Sequence, residues 1–264
     1  MKFKFSALEK EWAKVEKDEA YFITKQLNKE DSKLNKFLED KVPVGLQSTL
    51  DGAFAKAFHT VFEKGTGFIE KTYKKEELEK DYKINAYVAS VKENKKTLKA
   101  FSKKASGAGK SNLLISGASG IGMGILGIGI PDIVVFTSLM LRSIYEIALS
   151  YGFDYKNPEE KKFILLVIQG AVSHDTKLLK INEELNYFIE HGYFQSAIQL
   201  DECVKETASC LSKELLYMKF LQGIPVVGAV GGAYDVAYMK QVNKYAELKY
   251  RRRFFVGKKR RNEI

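Results

Sequence analysis

The feature that most restricts the fold is residues 113–154, LLISGASGIGMGILGIGIPDIVVFTSLMLRSIYEIALSYGFD. From Ser111 to Pro131 the chain carries no charge, and Gly117, Gly120, Gly124 and Gly127 recur at spacings of 3, 4 and 3. On a helix that spacing puts four glycines on one face. Each costs roughly 1 kcal/mol against alanine, and close approach of another helix across the bare face is the usual compensation. After Pro131 a second apolar helix is expected. Counting about 100° per residue from Asp132, Arg142 falls near −80°, Glu146 near −40° and Ser150 near 0°. One polar stripe therefore runs through an otherwise apolar helix, and it is a candidate site.

The chain of 264 residues, 45% hydrophobic and 29% charged, is long enough to bury a core and too apolar for wholesale disorder. Only four prolines and long Leu/Lys/Glu/Ala-rich segments favour helix throughout. The net charge of +10 is uneven. Lys249, Arg251, Arg252, Arg253, Lys258, Lys259, Arg260 and Arg261 against Glu263 place +7 in the last sixteen residues. Basicity reads here as a property of a tail. Cys203 and Cys210 lie two helical turns apart, roughly 10 Å along the axis, too far for a mutual disulfide, and read as thiols of a reducing cytosol. The start, MKFKFSALEKEW, has no apolar core before its first acidic residues, so it does not read as a secretory signal.

Along the chain, residues 6–40 show one or two amphipathic helices (Leu8, Trp12, Val15, Glu19, Phe22) ending near Pro43. Residues 46–64 predict a more apolar helix closed by Gly65 and Gly67, with His59 a packed or half-exposed structural histidine. Residues 68–105 read as two solvated, Lys/Glu-rich helices, a charged face without function. Gly152 is a helix stop. Asn157-Pro158-Glu159-Glu160 is a start in which Asn caps, Pro takes the first turn and Glu160 sits near the positive helix end. The helix 158–172 is buried after Phe163, and helices over 178–190 and 194–222 follow. A second Gly-rich segment, GIPVVGAVGGAYDVAY, leads into a last helix over 233–255 with Asp235 in its first turns. The fold class is all-α, one multi-helix domain with the two Gly-rich segments packed together. The division is an amphipathic extension over 1–40, a domain over 41–256 and a basic tail over 257–264.

Two motifs fail on their spacing. GAGKS at 107–111 ends like a phosphate-binding loop, but the pattern needs glycine where the chain has Lys104, so no nucleotide is expected. LLISGASGIGMGI is similar to the cofactor turn of short-chain dehydrogenases, and Tyr245 and Lys249 have that family's spacing. Yet that turn opens a βαβ repeat, whereas here about 110 helical residues precede it. Three scattered histidines and no Cys-x-x-Cys leave no zinc motif.

Pro131-Asp132, Arg142, Ile147-Ala148, Tyr151-Gly152-Phe153-Asp154 and Pro158-Glu159-Glu160, followed by LQGIPVVGAVGGAYDVAYMKQVNKYAELKYRRRFF, resemble the EcsC family over roughly residues 40–256. The resemblance implies a single α-helical domain and puts the family's polar positions on Asp132, Arg142, Glu146, Tyr151 and Asp154. It departs at Asp235, where the family often has asparagine. The family takes its name from a bacterial operon encoding an ABC transporter, and no reaction is established across it.

Three readings follow. In the first, a cytoplasmic protein lies at the inner face of a membrane. Its Gly-rich segments contact lipid, and Arg251, Arg252, Arg253, Lys258 and Lys259 meet anionic headgroups, each worth about 1 kcal/mol. A transporter or other membrane protein is then a partner. In the second, a hydrolase or lipid-modifying enzyme uses Asp132 and Asp235 with Arg142 and Glu146. If the two Gly-rich segments pack together, these acids converge as an acid–base pair or hold a divalent cation, with Tyr151 and Asp154 binding the ligand. The plainer alternative has Asp132 capping its helix and Arg142 pairing with Glu146 at i,i+4. The third is nucleic-acid binding through 249–261, where Tyr250, Phe254 and Phe255 interleave with arginines.

Overall fold

A computed structural model describes residues 6–28, 44–107, 130–221 and 231–262. Both Gly-periodic stretches, 108–129 and 222–230, lie outside these residues, and with them the expected packing of glycine faces. Among the described residues there is no strand, and the fold is all-α.

The first helix, α1 (Ala7–Leu27), starts in a capping box. The Glu9 N–H donates to Ser6 Oγ at 3.1 Å, and the Ser6 N–H donates to Glu9 Oε2 at 2.6 Å. Its inward row is Leu8, Glu11, Val15, Glu19, Phe22 and Gln26, so carboxylates enter the core with the apolar residues. Helix α2 (Val44–Thr60) passes through a π turn at Val61–Gly65 into the short α3 (Thr66–Glu70). Helices α4 (Lys75–Val91) and α5 (Lys95–Ala105) form a hairpin. Asn94 caps α5, its Oδ1 accepting from the N–H groups of Lys96 and Thr97.

Helix α6 (Ile130–Ser150) carries Pro131 in its first turn. It stops where predicted: Gly152 has φ +83°, and the Phe153 N–H donates to the Ala148 carbonyl at 2.9 Å. A Cβ at Gly152 would lie 2.2 Å from the Tyr82 ring of α4, so glycine also admits a close approach. Asn157 caps α7 (Pro158–Val172), accepting from the Glu160 N–H at 2.7 Å, and every residue from Phe163 to Val172 is buried. Helix α8 (Asp175–His191) ends at Gly192, φ +87°.

The helix expected from 194 begins later, as α9 (Leu200–Leu221). Ser196 donates its N–H and its hydroxyl to the Glu184 carboxylate at 2.9 and 3.0 Å, and Phe194 stacks on Phe188. These side-chain contacts pin an irregular connection that local periodicity does not reveal. The last helix, α10 (Gly231–Asn262), continues through the basic residues, so 257–262 are helical and belong to the bundle.

Helix α7 lies at the centre, against α8, α9 and α10. Helix α2 packs on α9 and α6, while α1 packs on α10 and α5. Residues of α1 share one core with α10, among them Phe22, whose ring stacks on Tyr245 at 4.9 Å.

Candidate functional site

The helix α10 carries a row of cations whose partners come from distant parts of the chain. Lys249 is fully buried and donates to Glu19 Oε1 at 2.9 Å, Asn182 Oδ1 at 2.5 Å and Asn186 Oδ1 at 2.8 Å. Burial pulls its ammonium down to about 8, against the opposing charge of Glu19. Burial works to raise Glu19, but Lys249 and Arg252 outweigh it and hold the carboxyl below its usual range. Arg251 reaches Asp18 at 2.5 Å. Arg252 reaches Glu190 at 2.8 Å and lies over the Trp12 ring. Arg253 donates to Glu160 at 2.6 Å above the Phe153 ring, and the Tyr250 hydroxyl donates to the same carboxylate at 2.7 Å. Lys258 is buried against the Ala89 carbonyl and Glu93, and Lys259 sits over Trp12 at 4.2 Å.

This corrects the reading of the basic run as a free tail. On a helix, three consecutive arginines point about 100° apart, so each meets a different neighbour, and their charges are spent inside the fold. Tyr151 is likewise no open ligand contact. It is buried between Phe101 and Phe254, its hydroxyl has no partner among the described residues, and burial raises its pKa. Asp154 is exposed and accepts from the Lys156 N–H at 3.2 Å, bracing the turn before α7.

Three members of the expected polar stripe of α6 have described side chains, Arg142, Glu146 and Ser150. Arg142 Nε donates to Glu146 Oε1 at 3.0 Å, the i,i+4 pairing set against catalysis above. Glu146 and Ser150 line a cleft of ≈ 310 Å³ under the α4–α5 hairpin, together with Asp81, Tyr82, Asn85 and Lys104. Beside it, the Tyr155 hydroxyl donates to Glu70 at 2.6 Å and lies 2.7 Å from the Tyr73 hydroxyl. Burial raises both phenols, so they remain proton donors. At Glu70 burial opposes ionisation, yet bonds from Tyr155 and Lys75 hold its pKa low. The cluster thus holds fixed charges and protonated phenols.

Asp132 and Asp235 lie in α6 and α10, and their side chains are outside the described residues. The two helices run in the same direction: Ser143 bonds Asn243 at 2.7 Å, and further along Tyr151 meets Phe254. Counting back from Ser143 and Asn243, positions 132 and 235 fall at the same end, within about 5 Å along the axis. Near that end His174 Nε2 lies 3.3 Å from Glu214, which also accepts from Tyr238, one turn after position 235. His174 therefore meets a carboxylate of α9. Among the described residues no three His, Cys, Asp or Glu side chains form a metal-holding group.

Sequence reasoning missed the partners of the α10 cations. One signal was available: Glu19 stands in the apolar row of α1, and a carboxylate there demands a buried cation. Ile133–Ser150 is the one stretch among the described residues long and apolar enough to cross a membrane, and 61% of it is buried.

An all-α bundle with a buried central helix and a charge-paired closing helix is the class this architecture defines. The EcsC protein family model matches residues 6–255, and the chain belongs to that family. The match takes in α1, which the motif resemblance left aside. Protein EcsC of Bacillus subtilis (strain 168) is 36% identical over 63 residues, 23% of this chain and 27% of that protein. Uncharacterized protein YdbA of the same organism is 23% identical over 152 residues, 56% of each chain. The chain thus spans about a quarter of one relative and about half of the other. No solved structure matches.

Proposed function

We propose that this protein is a peripheral membrane protein of the cytoplasmic face that handles or senses anionic lipid. One observation carries the reading. Among the described residues each buried basic residue, Lys249, Arg251 and Lys258, faces a carboxylate, so the described core takes up none of the +10 excess. An unneutralised basic exterior gains about 1 kcal/mol per Lys or Arg at an anionic bilayer and nothing at a neutral one. A membrane-embedded partner, such as a transporter, fits the same placement. Co-sedimentation with vesicles of phosphatidylcholine alone and with added phosphatidylglycerol tests this. The expected result is binding that requires the anionic lipid and falls with salt. No binding to either would sink the proposal.

A second reading is supported by the parallel register of α6 and α10. Positions 132 and 235 at one end, near His174, Glu214 and Tyr238, supply acids and a base for lipid hydrolysis, with or without a divalent cation. Asp132→Asn and Asp235→Asn should each abolish fatty-acid or phosphate release from vesicles. Turnover that survives both variants removes this reading.

A further inference from the structure

The outward face of the α4–α5 hairpin combines two patterns that water does not favour together. On α4, Ile84, Tyr87, Val88 and Val91 are 50%, 70%, 47% and 61% exposed, at the i, i+3, i+4, i+7 spacing of one helical face. The opposite face of α4 holds Tyr82, Ala86 and Ala89 against the bundle. So α4 has two apolar stripes, and only one is covered. On α5, Lys95, Lys99 and Lys103 follow i, i+4, i+8, opposite the buried Leu98, Phe101 and Ala105, with Lys96 beside them. Lys83 and Lys92 flank the α4 stripe, and all six lysines are exposed.

These lysines are not cancelled locally. Glu93 is held by Lys258 at 3.5 Å, and Asp81 by Lys104 at 3.1 Å. Among the described residues none of the six pairs with a carboxylate. The bond from Lys258 to the Ala89 carbonyl also brings the end of α10 to the hairpin, with the exposed Arg260 and Arg261 less than one turn further on.

We propose that this hairpin is the surface that docks on an anionic lipid bilayer. Helix α4 lies in the interface with Ile84, Tyr87, Val88 and Val91 below the headgroups. The lysines of both helices lie against phosphates. The proposal rests on the peripheral reading above and gives it a place in the fold. A second copy of the chain is a poor occupant, because two such faces would set lysines against lysines. Nucleic acid would use the charge but gain nothing from Ile84, Val88 and Val91.

The test uses the full chain, with helical circular dichroism to confirm folding of each variant. Vesicles of phosphatidylcholine with phosphatidylserine or phosphatidylglycerol are compared with phosphatidylcholine alone. Lys95→Glu, Lys96→Glu and Lys99→Glu together should weaken binding by at least about a hundredfold. The pair Val88→Ser and Val91→Ser should cost at least about tenfold with the salt dependence unchanged. The same charge reversal on α1, at Lys10, Lys14 and Lys17, should change binding far less. A polarity-sensitive dye on Val91→Cys should shift to the blue on binding, Cys203 and Cys210 being buried. If the full chain binds anionic vesicles and the hairpin variants bind equally, the hairpin is wrong and the peripheral reading stands. If no vesicle binds the full chain, both fall. If single-stranded DNA displaces bound vesicles and the Val88/Val91 variant binds DNA unchanged, the surface is a nucleic-acid site and the proposal is overturned.

Discussion

The last helix and the α4–α5 hairpin are the two most basic parts of the described chain, and they use their charge in opposite ways. In α10 Lys249, Arg251, Arg252 and Arg253 point inward or along the bundle and meet Asp18, Glu19, Glu160 and Glu190. In the hairpin Lys83, Lys92, Lys95, Lys96, Lys99 and Lys103 point outward and pair with no carboxylate among the described residues, beside an apolar stripe that is also exposed. In the sequence one reads as a basic tail and the other as a Lys/Glu-rich charged face. What separates them is whether an acid waits on the facing element. A buried cation without one would cost several kcal/mol, so the α10 pairs are conditions of folding. The hairpin lysines are available for something outside.

The largest effect should come from taking one acid from α10. Glu160→Leu leaves the Arg253 guanidinium and the Tyr250 hydroxyl without their shared acceptor, and should cost about 3–5 kcal/mol by urea unfolding. Adding Arg253→Leu and Tyr250→Phe should recover most of the loss, since an apolar replacement of the whole set needs no partners. A single variant near wild-type stability would show that this contact is not part of the folding requirement. Next in size is Gly152→Ala. A left-handed φ and the Tyr82 ring in the path of the new Cβ should together cost about 2–4 kcal/mol. That loss would fall on the junction of α6 with the hairpin, so vesicle binding and stability should suffer together.

Lys249 sharpens the contrast through pH. Its ammonium titrates near 8 in the fold and near the ordinary lysine value when unfolded. Between these values the unfolded chain binds more protons. The contribution is therefore fully present above the unfolded pKa and is lost as pH falls through about 8. Stability should rise from pH 8 toward 10 by up to ~1.4 kcal/mol per pH unit from this group. Lys249→Met should flatten that slope relative to wild type, with the tyrosines common to both. An identical slope in the variant would mean that Lys249 is not desolvated.

Much of this was legible locally. The cap at Asn157, the stop at Gly152, the buried run after Phe163 and the polar stripe through Arg142, Glu146 and Ser150 all depend on neighbours within a few turns. The pairs of α10 do not. Lys249 and Glu19 are 230 residues apart, and no window holds both, so the arginine run looked like a tail. The connection over 192–199 was missed for a similar reason, since Glu184 and Phe188 hold it from the previous helix. The hairpin was legible as charged helices, but a helix with two apolar stripes shows its meaning only once one is seen to be covered. Tyr151 belongs with these. Its hydroxyl reads as a ligand contact in sequence, but it is buried with no partner among the described residues, and Tyr151→Phe should be neutral or stabilising by up to about 1 kcal/mol.

The smallest expected effect on stability is the one that most directly opposes α10. Lys99→Glu reverses an exposed, unpaired charge on α5, and surface changes away from caps and pairs usually stay within about 0.5 kcal/mol. The helix is already rich in lysine, with Lys95 and Lys103 one turn away on either side. A glutamate there gains two i,i+4 partners and removes like-charge repulsion, so any shift should be slightly stabilising. A lysine position that gains stability when reversed is held for a reason other than folding. If Lys99→Glu instead unfolded the chain as Glu160→Leu should, the hairpin lysines would be structural too, and the contrast between the two regions would disappear.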